Sequence, residues 1–217
     1  MAKSFTNAGM YVIAFFAVSV SLYAFSYYFI SSNFLVSKGT LANQPYWHIA
    51  FYTHISSGAI ALGIGWLQFL RKFRTRNINR HRFIGKVYAI AILFFASTSG
   101  MVLAFNANEG LPSKLGFGCL AFVWFYTTLM AWLSIVKGNV QQHRAWVTRS
   151  YAITLAAVTL RIWLPLSQIF HFDFHQAYPA ISWFCWVPNL IIAEWFIIPR
   201  TAKKIPAVQK TFAGQQL

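Results

Sequence analysis

Residues 115–136 read LGFGCLAFVWFYTTLMAWLSIV, a run without a charged side chain that is closed at one end by Lys114 and at the other by Lys137. A helix needs roughly 20 mainly apolar residues to cross the hydrocarbon core of a bilayer, and this run supplies them. Only a structure that satisfies its own backbone hydrogen bonds survives in lipid, so the run predicts a transmembrane helix. The same reading applies to 10–30, 47–70, 87–105, 146–166 and 178–198. The expected fold is therefore all-α: a polytopic membrane bundle of about six transmembrane helices, forming one domain over 1–217.

Composition and charge agree with that reading. Of 217 residues, 58% are hydrophobic and 19% aromatic, and only 3 are acidic, which excludes an ordinary soluble domain. The net charge of +15 would suggest nucleic acid in a soluble chain, but its placement argues otherwise. Starting from Lys3, one side of the predicted membrane collects the cations of 71–86, then Lys137, Arg144 and Arg149, then Arg200, Lys203, Lys204 and Lys210. The other side holds Lys38 and Lys114 with the acids Glu109 and Asp173. Lys and Arg gather in cytoplasmic loops and near anionic lipid. Both termini are thus expected on the cytoplasmic side of a bacterial inner membrane, with lipid rather than nucleic acid as the partner of the basic segments. The first span ends in Ser26-Tyr27-Tyr28-Phe29 and not in a small-residue cleavage site, so it is read as a retained helix. No CxxCH motif occurs, which excludes the usual covalent attachment of c-type haem.

Polar residues inside spans are the candidates for function, because lipid does not tolerate them facing outward. His54, Gly58, Ala61, Gly65 and Gln68 recur at helical spacing on one small, polar face of the second span. His143, Ser150, Thr154, Ala157 and Arg161 do the same on the fifth. A faint repeat relates His81-Arg82 through Ile90 to His143-Arg144 through Ile153 with one residue inserted, so two helices open with a His-Arg pair at matching depth. Arg149 and Glu194 lie at similar depth in the fifth and sixth spans, which predicts a salt bridge between them. Pro188 falls inside the last span, where it should kink the helix and free a carbonyl beside Asn189.

Histidines on neighbouring helices are a common way to hold haem b, with basic side chains for its propionates. His81 and His143 meet the depth requirement, with Arg144 and Arg149 available to the propionates. His54 with a histidine of the outer loop, near Arg161, forms a second candidate pair, with Gly58 and Gly65 of the small-residue face leaving room for a cofactor. The HxDxH pattern of His171, Asp173 and His175, with His54, is a candidate Zn or Cu site. Each has a plainer explanation: helix starts attract basic residues, a solvated loop carries histidines, and His48 beside Trp47 suits an interface. Trp47, Trp66, Trp132, Trp146, Trp163, Trp183 and Trp195 near span ends read as an aromatic belt.

Taken together, Trp47, His54, Gly58 and Gln68, then His81, Gly85 and Tyr88, then the run from His143 to Arg161 resemble the bacterial predicted membrane-protein family catalogued as domain of unknown function 2306. The likeness covers 47–165 and includes Val147, where Met is expected in many relatives. It implies the topology and marks the positions without naming a reaction. More distantly the chain looks like cytochrome b561-type membrane haem proteins, which use four histidines in two pairs, whereas here only His54, His81 and His143 sit on helices or at their ends.

The leading expectation is a small membrane haem b protein in electron transfer, linked to quinone or a redox partner protein. A metal-ion or small-solute transporter or assembly factor with an outer His/Arg site is the alternative, and a structural subunit or oligomer of a larger complex is the third. Glu109, Asp173 and Glu194 are too scattered for an acid–base pair, so no hydrolytic centre is expected.

Overall fold

The computed structural model describes residues 7–30 and 33–199. Lys3, Arg200, Lys203, Lys204 and Lys210, on which part of the orientation argument rests, lie outside the described residues. Within them the chain is helical and no strand occurs. The principal helices are α1 (Asn7–Phe25), α2 (Pro45–Gly65), α3 (Ile78–Phe105), α4 (Gly110–Val136), α5 (Val140–Ile169) and α6 (Phe174–Ile197). Five of the six, all but α2, are long and apolar enough to cross a membrane. The 21 residues of α2 match a bilayer in length, and α2 packs between α1 and α3. Its His48, Thr53, His54, Ser56 and Ser57 dilute its hydropathy.

Local chemistry fixes where the helices begin. The Asn77 side chain accepts the Arg80 N–H at 3.0 Å, that of Asn139 accepts the Gln142 N–H at 3.0 Å, and Asp173 accepts the His175 N–H at 2.8 Å. Each satisfies a donor that the first turn leaves over. Pro45 opens α2, where its missing N–H costs nothing. Gly138, at φ +73°, closes α4 in the left-handed conformation that a side chain would disfavour. Two predicted spans start too late, because α3 and α5 begin at Ile78 and Val140. His81 and His143 consequently sit on first turns.

The bundle is packed with small residues and greased outside. Ala17, Ala61, Ala96, Ser113, Ser150 and Ser182 are fully buried, whereas Phe15, Leu22, Phe94, Phe122 and Val136 are exposed. Lipid provides no hydrophobic drive between helices, so close backbone approach and interhelical hydrogen bonds hold them together. A Cβ on Gly116 would collide with Ser182 Oγ, which shows how tightly α4 meets α6.

Two sequence expectations about α6 hold. The helix breaks at Cys185–Trp186 just before Pro188. The Cys185 carbonyl accepts from Asn189 Nδ2 at 3.1 Å and from the Thr159 hydroxyl. Arg149 binds Glu194 through two nitrogens, Nε to Oε1 and Nη2 to Oε2, the latter at 2.9 Å. The Arg149 guanidinium also lies 4.3 Å over the Trp146 ring. One expectation fails: Trp47 is 1% exposed and stacks on Phe51 at 5.1 Å, so it belongs to the interior and not to an aromatic belt. Its position on the inward face of α2 outweighs its nearness to the helix end.

Candidate functional site

A cavity of about 670 Å³ opens inside the bundle on the side away from the Arg71–Arg82 segment. It collects His54 and Gly58 from α2, Trp124 from α4, and Thr154 and Arg161 from α5. Tyr23 and Tyr27 close it from the first helix and its following turn, and Lys38 from the connection to α2. Most of the remaining wall is apolar, including Phe51, Phe117 and Leu160. Such a mixture, apolar with a few convergent polar groups, is the usual make-up of a small-molecule site.

His54 is oriented by a distortion in α3. Over Ala91–Ala96 that helix widens into a π-turn, with the Ser97 N–H reaching back to the Ile92 carbonyl. The Ala96 carbonyl accepts from His54 Nδ1 at 2.8 Å. A carbonyl has no proton to give, so Nδ1 carries a proton, and in the neutral ring Nε2 keeps its lone pair. Gly100 leaves space for the ring, since a Cβ there would lie 3.0 Å from His54 Cε1 and Nδ1. Trp124 meets the imidazole edge-on with centroids 6.4 Å apart. Turns of this kind recur at functional sites because they redirect a carbonyl.

Arg161 lies within electrostatic range of His54 and within cation–π reach of Tyr23, its guanidinium carbon 5.5 Å from that ring. Its Nη1 donates to the Ala157 carbonyl at 2.9 Å, and no acid pairs with it among the described residues. Pro165 one turn on has no N–H for the Arg161 carbonyl. Lys38 donates to the Asn106 carbonyl at 2.8 Å and to Asn108 Oδ1 at 2.6 Å. Burial pushes its ammonium below the usual lysine range.

Below the cavity the interior is closed by a hydroxyl network. Tyr88 Oη bonds to Ser150 Oγ at 2.8 Å and to Thr154 Oγ1 at 2.9 Å, Trp124 Nε1 donates to Thr154 Oγ1 at 2.9 Å, and Thr128 reaches Ser150 at 2.7 Å. The sequence pattern flagged Ser150 and Thr154. It gave no sign of Trp124, Tyr27 or Lys38, which the packing of separate helices brings in.

The other candidate residues are distributed differently. Gly65, expected to leave room for a cofactor, is filled: a Cβ there would stand 2.6 Å from the Tyr151 ring and 2.8 Å from that of Tyr88. His143 Nδ1 donates to the Ala131 carbonyl at 2.8 Å, which orients Nε2. His81 lies within electrostatic range of His143, Arg74 and Arg82. The cavity is bordered by neither of these histidines, nor by Arg144 or Arg149. Arg149 is committed to Glu194, and Arg144 is exposed. In the HxDxH pattern, Asp173 caps α6, His175 Nδ1 pairs with Glu109 Oε2 at 2.6 Å, and His171 turns the chain at φ 57°. Among the described residues no three His, Cys, Asp or Glu side chains come together to hold a metal.

Comparison with known proteins adds one match. The profile of a family described as predicted membrane protein (DUF2306) matches residues 51–197, well over half the chain and including all of α3 to α6. No curated protein and no solved structure matches.

Proposed function

We propose that this chain, which belongs to the predicted membrane-protein family DUF2306, binds a small amphipathic molecule in the cavity between α2 and α5, with an acidic head group at His54 and Arg161. The observation that carries the reading is the pairing of an acceptor, His54 Nε2, with a cation in one largely apolar cavity. A hydroxyl or carboxylic acid satisfies both: its O–H donates to Nε2, and its oxygen accepts from the guanidinium. A quinol or a medium-chain fatty acid has that chemistry. The role is a carrier or binding protein of a bacterial cytoplasmic membrane, with the cavity in the half facing away from the cytoplasm, as the cation distribution favours.

The test is a titration of purified protein in uncharged detergent with decanoic acid and with a decyl quinol, followed by calorimetry. Loss of a charge-assisted hydrogen bond is worth about 1.5–3 kcal/mol, so Arg161→Gln should weaken binding roughly tenfold or more, and His54→Ala by a similar factor. Unchanged affinity in both variants would remove this reading.

A second reading keeps haem b between His81 and His143, with electron transfer as the function. It is favoured by the electrostatic influence of His143 on His81 and by the Ala131 contact that orients His143. An absorption spectrum decides it: a Soret band lost in His81→Ala and in His143→Ala supports it, and colourless wild-type protein from haem-supplied cells refutes it.

A further inference from the structure

All three acidic residues of the chain already have partners of their own. Glu109 pairs with His175 and Asp173 caps α6, both at the opposite end, while Glu194 is held by Arg149. The cations that crowd the entrance of α3 therefore have no acid of their own to neutralise them. The short helix Arg71–Arg76 packs on α3 there, and Arg74 lies in the fields of Arg144 and Arg71. Burial, with that repulsion added, holds the Arg74 guanidinium below its ordinary pKa.

Beside these cations are two polar groups without partners. Gln68, on the turn Trp66–Phe69, is 9% exposed, and its Nε2 is buried with no hydrogen bond. His81 Nδ1 is likewise buried and unbonded. Gln68 packs on Gly85, whose missing Cβ would stand 3.4 Å from Gln68 Oε1. His81 lies one turn before Gly85 on the same face of α3. Buried polar atoms left unpaired cost about 1–3 kcal/mol each. Two of them beside crowded guanidinium groups make a place where an acceptor-only, negatively charged group is stabilised from every side.

We propose that this cluster, Gln68, Arg74, His81 and Arg144 around the Gly85 notch, is an oxyanion site that takes a phosphate group, carried either by the head group of an anionic lipid or by a free phosphate. Gln68 Nε2 donates from the protein side, His81 Nδ1 donates in the tautomer that carries its proton there, and Arg74 and Arg144 supply charge from the membrane surface. A phosphate brings acceptor oxygens to these N–H groups and negative charge to the two guanidinium groups, which a neutral alcohol or amide does not. The site uses no residue of the His54 cavity and stands or falls separately from that reading; it shares His81 with the haem reading, from which the phosphate and lipid titrations below distinguish it.

The experiment is thermal unfolding of the purified full chain in uncharged, phosphate-free detergent, titrated separately with phosphatidylglycerol, phosphatidylcholine and inorganic phosphate. Phosphatidylglycerol should raise the wild-type midpoint by at least about 3 °C, with phosphatidylcholine inert. A matching rise with inorganic phosphate identifies a free oxyanion as sufficient; a rise with the lipid alone identifies the head group. Arg74→Gln should abolish the rise, whereas Arg80→Gln, an exposed cation on the same segment, should retain it. Gln68→Glu gives the site a carboxylate of its own, and should raise the midpoint without ligand while removing the response. No response to either phosphate source in the wild type, or equal loss in Arg74→Gln and Arg80→Gln, would overturn the proposal.

Discussion

Two successive stretches of α2, around Gly58 and around Gly65, carry the same pattern of small residues but are used in opposite ways. Around Gly58 a Cβ would meet nothing within 4 Å, and the space belongs to the cavity. Around Gly65, two turns on, the notch is filled by the rings of Tyr88 and Tyr151. These tyrosines occupy equivalent places in the faint repeat of the third and fifth spans, so both repeat copies converge on one glycine. A glycine stripe in a membrane helix thus specifies close approach without specifying what approaches. At one position it is a protein ring that locks the bundle, and at the other it is empty volume beside a histidine and an arginine.

The largest effect is expected at the filled position. Gly65→Ala places a methyl group inside the two tyrosine rings, and overpacking of this kind costs about 1–3 kcal/mol or more. Thermal unfolding in detergent should show it as a lowered midpoint. Next is Thr154→Val, which keeps shape but strips the shared partner of Tyr88 Oη and Trp124 Nε1. About 1–2 kcal/mol of destabilisation is expected, and chemical denaturation measures it; a neutral result would mean that the hydroxyl network does not separate the two stretches.

Gly100→Ala follows, because a Cβ at 3.0 Å must shift the His54 ring off the Ala96 carbonyl. Stability should fall by less than about 1 kcal/mol, while decyl quinol binding weakens as in His54→Ala. Smallest of all is Gly58→Ala: a stability change within about 0.5 kcal/mol, accompanied by reduced ligand affinity as the methyl group takes cavity volume. Should Gly58→Ala destabilise the protein as strongly as Gly65→Ala, the contrast between an open and a filled glycine collapses.

Part of this arrangement was legible before any coordinates. The Arg149–Glu194 pair followed from depth alone, since two opposite charges a turn inside the same face of the membrane have few alternatives to each other. The break near Pro188 followed from proline chemistry, and Asn189 supplied the donor its position promised. The inward faces of His54, Thr154 and Arg161 followed from helical spacing. The fate of the HxDxH loop did not: its spacing suits a metal, yet Asp173 is taken by helix capping and His175 by Glu109, a residue 66 positions earlier.

By itself the sequence determined that the chain is a helical membrane protein and which polar faces turn inward, though not where α3 and α5 begin, because hydrocarbon penalises every misplaced charge and every unpaired backbone group. Which inward faces meet and which leave a gap was decided only by the tertiary structure. Periodicity gives the direction of a side chain around its own helix axis, whereas cavities depend on the volumes that neighbouring helices bring against it. For that reason Gly58 and Gly65 look alike in one dimension and differ in three.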